Sequence, residues 1–289
     1  MSYRIFTDAT SDLPKEIAAQ LNVTVLPMAF LMEGREYQYV PGNSEMPIEM
    51  FYQKMRDGVA VNTVQINTFQ FVEAFTPALE AGEDVIYIGF SSGLSGTIGS
   101  ANAAAAELMG QYPERRIACI DSLCASLGEG LLVTYAARQH SKLSFDEMVN
   151  WCENNKRNAV HWFTVNDLVY LKRGGRVSGA TAAMATVLQI KPVMHVDDEG
   201  NLVAVSKVQG RKKSLRALID NMKATVDLDM TDIVYVGNCD CLEDANSVAD
   251  WVRENFPSIK ELLVSTIGTS IGAHAGPGTV ALFFFGSPR

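Results

Sequence analysis

Along the first half of the chain, short unbroken apolar runs alternate with stretches whose apolar residues recur at helical spacing. Residues 4–7, 23–32, 84–90 and 116–120 read as strands, the third apolar enough to be covered on both faces. Residues 48–56, 69–80, 128–139 and 144–156 read as helices, as does the Ala-rich segment after Thr97. A further helix is expected from an N-cap at Ser11 or Asp12 to about Gln20, since Pro14 is tolerated in a first turn. Residues 37–47 look irregular, and 62–67 look like a polar loop ahead of a helix. This alternation predicts a three-layer α/β domain with a mainly parallel sheet, whose ligands sit beyond the C-terminal strand ends. The turns at 8–11, 91–97 and 121–126 should all emerge there.

After about residue 158 the rhythm changes. Strands are expected at 161–165, 191–197, 202–208, 232–238, 261–267 and 279–286, with a hairpin turn at 197–201 and helices at 213–225 and 243–255. The fold class is therefore α/β in two domains. Residues 1–157 form the three-layer, mainly parallel domain, and 158–289 form an α+β domain with a mixed or antiparallel sheet.

Composition narrows the function. Of the 289 residues, 47% are hydrophobic and 20% charged, which gives a packed core and excludes disorder. A net charge of −9 argues against a nucleic-acid partner. No apolar run is long enough for an integral membrane segment, and the N-terminus lacks the features of a signal peptide. The cysteines are odd in number and scattered (Cys119, Cys124, Cys152, Cys239, Cys241), as expected of structural thiols in a reducing, cytoplasmic setting. The four histidines show no metal-ligand spacing, and no cofactor motif is present.

The candidate chemistry lies in four places. The turn at 91–97 places Ser91, Ser92 and Ser95 among glycines between a strand and a helix, an arrangement that suits a phosphate or carboxylate but also an ordinary capped turn. The polar stretch around Thr63 parallels it. Arg176, in the glycine-rich run LKRGGRVSG, is a partner for an anion, although the run lacks the spacing of a nucleotide-binding P-loop. His274, set among small residues, could donate to a carboxylate or phosphate. The sequence also contains a G-x-S-x-G at 268–272, centred on Ser270. It makes a poor nucleophile elbow: no acid follows residue 261, and the Gly- and Pro-rich stretch after Ile271 is expected not to form a helix. What remains is an anion site of hydroxyls, one arginine and one histidine, with no evident base or nucleophile.

Together these stretches resemble the DegV family of bacterial fatty-acid-binding proteins. The resemblance rests on TDATSDLP at 7–14, NTVQIN at 62–67, SSGLSGTIGS at 91–100, DSLCASLGEG at 121–130, LKRGGRVS at 171–178, IKPV at 190–193 and IGAHAGPG at 271–278. Two positions depart from the family pattern: Ala9 stands where serine is usual, and TVQIN replaces a Thr-Ser-Gln-Pro-Ser pattern. The resemblance implies an acyl chain buried between two α/β domains. It also implies a carboxylate held by Thr63 and the Ser92/Ser95 pair, with Arg176 and His274 close by. It further implies a separate ATP-dependent fatty-acid kinase as partner, which converts the bound acid to an acyl-phosphate. The competing readings are a serine esterase or thioesterase using Ser95 or Ser270 with His274, and a phosphometabolite-binding domain.

Overall fold

The computed structural model describes residues 2–177 and 190–287; Ser178 and Gly179, at the end of the LKRGGRVSG run, lie outside the described residues. The first sheet is parallel. It runs β2 (Val23–Leu26), β1 (Tyr3–Asp8), β7 (Asp84–Gly89), β8 (Ile117–Asp121), in that spatial order. All six residues of β7 are buried, as its unbroken apolar run requires. Helices α3 (Thr68–Glu80) and α4 (Thr97–Gln111) pack on one another and on this sheet. A capping box closes the start of α3, with Asn67 and Gln70 exchanging side-chain-to-backbone hydrogen bonds.

Beside it stands a second, antiparallel sheet of β5 (Asn43–Ser44), β4 (Arg35–Val40), β3 (Met28–Met32) and β6 (Val61–Val64). The single strand expected over 23–32 is thus two strands in two sheets. Pro27 lies at the break, because its ring fixes φ and it has no N–H for a ladder. Residues 37–47 and 62–67 also supply strands rather than only loop: their polar side chains fall on a sheet with one solvated face, so no apolar run marks them. The first helix differs too. Residues 9–11 form a 3-10 turn, and α1 (Lys15–Gln20) starts after Pro14, so neither Ser11 nor Asp12 caps it.

The six-stranded sheet is mixed and built wholly from residues after 158. Its order is β11 (Leu202–Gln209), β10 (Ile190–Val196), β9 (Ala159–Thr164), β14 (Val280–Phe285), β12 (Ile233–Asn238), β13 (Glu261–Thr266), with only the last pair parallel. Strand alternation sorts its side chains. Val160, Trp162, Leu282 and Phe284 face α8 (Arg211–Thr225) and α9 (Leu242–Asn255), while Phe163, Ala281, Phe283 and Phe285 face the main core.

One helix joins the two α/β units. In α5 (Leu127–Arg138) ten of the twelve residues are buried, because it lies between the parallel sheet and the inner face of the mixed sheet. Its glycines permit that approach. A Cβ on Gly130 would sit 2.6 Å from the backbone carbonyl oxygen of Ser11, which cannot swing aside as a side chain would. Gly130→Ala should therefore lower stability by about 1–3 kcal/mol in chemical denaturation. An unchanged midpoint would show that the loop after β1 can retreat from α5.

Candidate functional site

Three βα turns leave the C-terminal edge of the parallel sheet, and all three reach one cavity. Thr10, Leu94, Ser95 and Ser126 line it from that side. From the other side come Phe163 of β9, Leu202 of β11, Phe283 of β14, and Ser270, Ile271 and His274 of α10 (Thr269–Ala275). The space is about 790 Å³ with its solvent-open part included. Its wall is mostly apolar.

Four polar side chains gather at one place. Thr63 Oγ1 and His274 Nε2 are hydrogen-bonded at 2.9 Å. Arg176 Nε donates to the Leu94 carbonyl at 3.2 Å, and a second guanidinium nitrogen donates to the Gly174 carbonyl, so the cation leans on the residue before Ser95. Ser95 Oγ contacts Thr97 Oγ1 at 2.9 Å. Thr63, Arg176 and His274 also line a second space of about 750 Å³, together with Asn62, Tyr170 and Arg173. The trio therefore stands between an apolar interior and a polar approach. Four of the five residues singled out from the sequence, Thr63, Ser95, Arg176 and His274, come together here. Ser92 does not: it is exposed, and its backbone N–H donates to Asp121 Oδ1. Its neighbour Ser91 is the buried one, donating to the Gly200 carbonyl of the hairpin turn at 2.8 Å.

Burial and the nearby Arg176 hold the His274 pKa down to about 4, so the ring is neutral near pH 7. Its Nδ1 is buried with no partner, and Gly174 packs against it. Among the described residues no carboxylate orients this ring, and neither Ser95 nor Ser270 is its hydrogen-bond partner, so they assemble no Ser–His–acid chain. The Gly- and Pro-rich stretch does form a helix after all: α10 carries residues 269–275 because its glycines fit tightly packed aromatics. A Cβ on Gly272 would lie 2.3 Å from the Tyr52 hydroxyl, which itself donates to the Ile267 carbonyl at 2.7 Å. Ser270 has an ordinary helical place rather than a strained elbow.

Sequence reasoning missed a buried acid network behind the cavity. Asp12 Oδ2 accepts from Ser126 Oγ at 2.6 Å, and Oδ1 accepts from the Gly268 N–H at 2.8 Å. Asp8 Oδ1 and Glu129 Oε2 both lie against Thr10 Oγ1, at 2.5 and 2.9 Å. Thr7 Oγ1 donates to Glu129 Oε1, and the Tyr87 hydroxyl donates to Asp8. Thr10 has one hydroxyl hydrogen for two carboxyl oxygens. One carboxyl must therefore carry a proton and donate in turn to Thr10. Glu129 is the protonated one, since Asp8 already accepts from the Thr10 N–H and from Tyr87. Burial raises the pKa of both, that of Glu129 furthest above its usual range, and pushes Asp12 up to about 7. The signal was present in the sequence: Asp8 and Asp12 belong to TDATSDLP and Glu129 to DSLCASLGEG. Among the described residues no cluster of His, Cys, Asp or Glu suits a metal ion.

A model of the DegV family, described as a family of uncharacterised protein, matches residues 2–287. The chain belongs to the DegV family. A DegV domain-containing protein of Clostridium perfringens is 40% identical over 286 residues, covering 99% of this chain and 98% of its own. One from Lactococcus lactis is 31% identical, covering 98% and 97%. The solved DegV structure from Thermus thermophilus, described by its fatty-acid binding, has a TM-score of 0.88 at 29% identity, over 99% of this chain and 100% of that one. A stearic-acid-binding protein from Eubacterium ventriosum gives 0.84 at 25% identity, over 98% of both chains. No helix among the described residues of this DegV protein is long and apolar enough to cross a membrane.

The acid network has a pH signature. A carboxyl whose folded pKa is raised adds stability below its unfolded pKa and loses it as pH rises through the folded value. For Asp12 that window runs from about 3.8 to about 7. Asp12→Asn keeps an acceptor for the Gly268 N–H but cannot ionise. Its thermal stability relative to wild type should rise as pH increases from 4 to 7 and then level off. A difference independent of pH would show that Asp12 does not titrate in this range.

Proposed function

We propose that this DegV protein binds a long-chain fatty acid between two units divided near residue 158, and presents its carboxylate to a separate ATP-dependent fatty-acid kinase. The observation that carries the reading is the separation of chemistry along the cavity. The interior is mostly apolar, and Thr63, Arg176 and His274 stand at the border with a polar space, with Ser95 on the cavity side. An acyl chain with a carboxylate at one end has the same polarity profile. Relatives named above for fatty-acid and stearic-acid binding support the ligand class.

The magnitudes favour retention. Each buried methylene contributes about 0.8 kcal/mol, so a chain of roughly fifteen contributes on the order of 12 kcal/mol before the costs of ordering. The carboxylate must be hydrogen-bonded, or its desolvation would offset much of this. Hydroxyl donors and Arg176 meet that need while one oxygen still faces the polar space, where Arg173 and Asn62 lie. The kinase partner is what the resemblance to the DegV family implies; the open approach and the absence of a P-loop in the sequence agree with it. Thr63, Ser95, Arg176 and His274 are assigned to the ligand, and Ser92 is not.

Protein purified from lipid-rich cells should carry fatty acid in native mass spectrometry, and a purely ligand-free mass would sink the proposal. Thr63→Ala and Ser95→Ala should each weaken fatty-acid binding by about 1–3 kcal/mol, the range for a charged group losing a donor. Wild-type affinity in both would move the carboxylate elsewhere.

A second experiment addresses the partner. With ATP, Mg²⁺ and fatty acid the chain alone should form no acyl-phosphate, and a cognate kinase should restore the reaction. Arg176→Ala and His274→Ala should lower that rate more than they lower loading with a fluorescent fatty acid. Normal rates at saturation would confine both residues to anchoring, and acyl-phosphate formed without kinase would overturn the carrier role.

A further inference from the structure

Among the described residues, every hydroxyl in the cavity wall has a partner within the protein, with one exception. Thr10 is held by Asp8 and Glu129, Ser126 by Asp12, Thr279 by the Ala275 carbonyl, Ser95 by Thr97 and Thr63 by His274. Ser270 lines the same cavity, is 5% exposed, and its Oγ has no hydrogen-bond partner. A buried hydroxyl without a partner is rare enough to require an explanation.

Its position supplies one. Ser270 and His274 are four residues apart on α10, so they share a face one turn apart. Helical side chains lean toward the helix N-terminus, which carries the His274 ring back over the turn that holds Ser270. Both side chains line the cavity. An acyl chain offers a hydroxyl nothing to bond except its carboxylate. Building on the fatty-acid reading above, we infer that Ser270 is an additional donor to the ligand carboxylate, left unpaired until the ligand arrives. A carboxylate has about four acceptor positions, enough for Thr63, Ser95, Arg176 and Ser270 together. In this role Ser270 is a ligand-sensing hydroxyl and not a nucleophile.

The inference predicts effects of opposite sign, which a purely structural serine would not give. Ser270→Ala removes an unpaired hydroxyl from the ligand-free protein and a donor from the complex. Delipidated Ser270→Ala should melt about 1–3 °C above delipidated wild type. Its Kd for palmitate, by titration calorimetry, should rise by about fivefold to a hundredfold. For methyl palmitate, which lacks the charge, the Kd should change by less than about twofold. Unchanged palmitate affinity would overturn the assignment, as would equal losses for acid and ester, or a loss confined to 3-hydroxypalmitate. If folded wild type binds neither acid nor ester, the fatty-acid reading falls, and this inference with it.

Discussion

The carboxyl group of Asp12 joins three segments on which the cavity depends. It sits in the turn after β1, accepts from Ser126 at the start of α5, and accepts from the Gly268 N–H at the start of α10. Each partner needs it. Ser126 is held at φ 55°, ψ −145°, a region few non-glycine residues occupy, and such strain persists only where neighbours fix it. Helix α10 has seven residues, too few to be stable by itself, so its direction comes from contacts at its ends and along its glycine face. Asp12 holds one end and Tyr52 the segment just before it. His274 and Ser270 therefore stand where they do because a carboxyl group on the other side of the cavity fixes the start of their helix.

That tether lies beside a deliberate concentration of buried acid. Asp8, Asp12 and Glu129 are all buried and, among the described residues, no lysine or arginine is bonded to them. Charging all three would be prohibitive in so low a dielectric, and the shared hydrogen of Thr10 shows how the network avoids it. Glu129 stays neutral and donates, while Asp8 accepts from three groups. A neutral carboxyl on α5 is compatible with the near-complete burial of that helix between two sheets. The geometry would fail if a salt bridge were needed at the same place.

The sequence made the architecture legible wherever periodicity was strong: the buried strand at 84–89, the amphipathic helices of the second half, and the hairpin at 197–201 all fall within a residue or two of expectation. It failed where tertiary contacts override local preference. Pro27 divides an apolar run between two sheets, and polar residues at 35–44 form a sheet with a solvated face. Asp12 looks like a helix cap but spends both oxygens on residues more than a hundred positions away. Spacing could not tell Ser91 from Ser92 either. Only the hairpin turn packed over that loop decides which serine is buried.

The same logic supports the proposed reading of the site as a holder rather than a catalyst. Acyl transfer needs a nucleophile with a base in reach, and a base needs something to orient it. Here the histidine gives Nε2 to a threonine, lies against glycine at Nδ1, and is held neutral by burial and a cation. Arg176 is tied to two backbone carbonyls and, among the described residues, to no carboxylate. A guanidinium so placed keeps its position without having its charge neutralised. Its charge remains available to an anion entering from the cavity, and a neutral histidine adds a hydrogen-bonding edge without repelling the arginine. Were His274 protonated, a second cation would stand beside Arg176. In the fatty-acid complex proposed above, a neutral His274 leaves Arg176 as the cation that faces the ligand carboxylate.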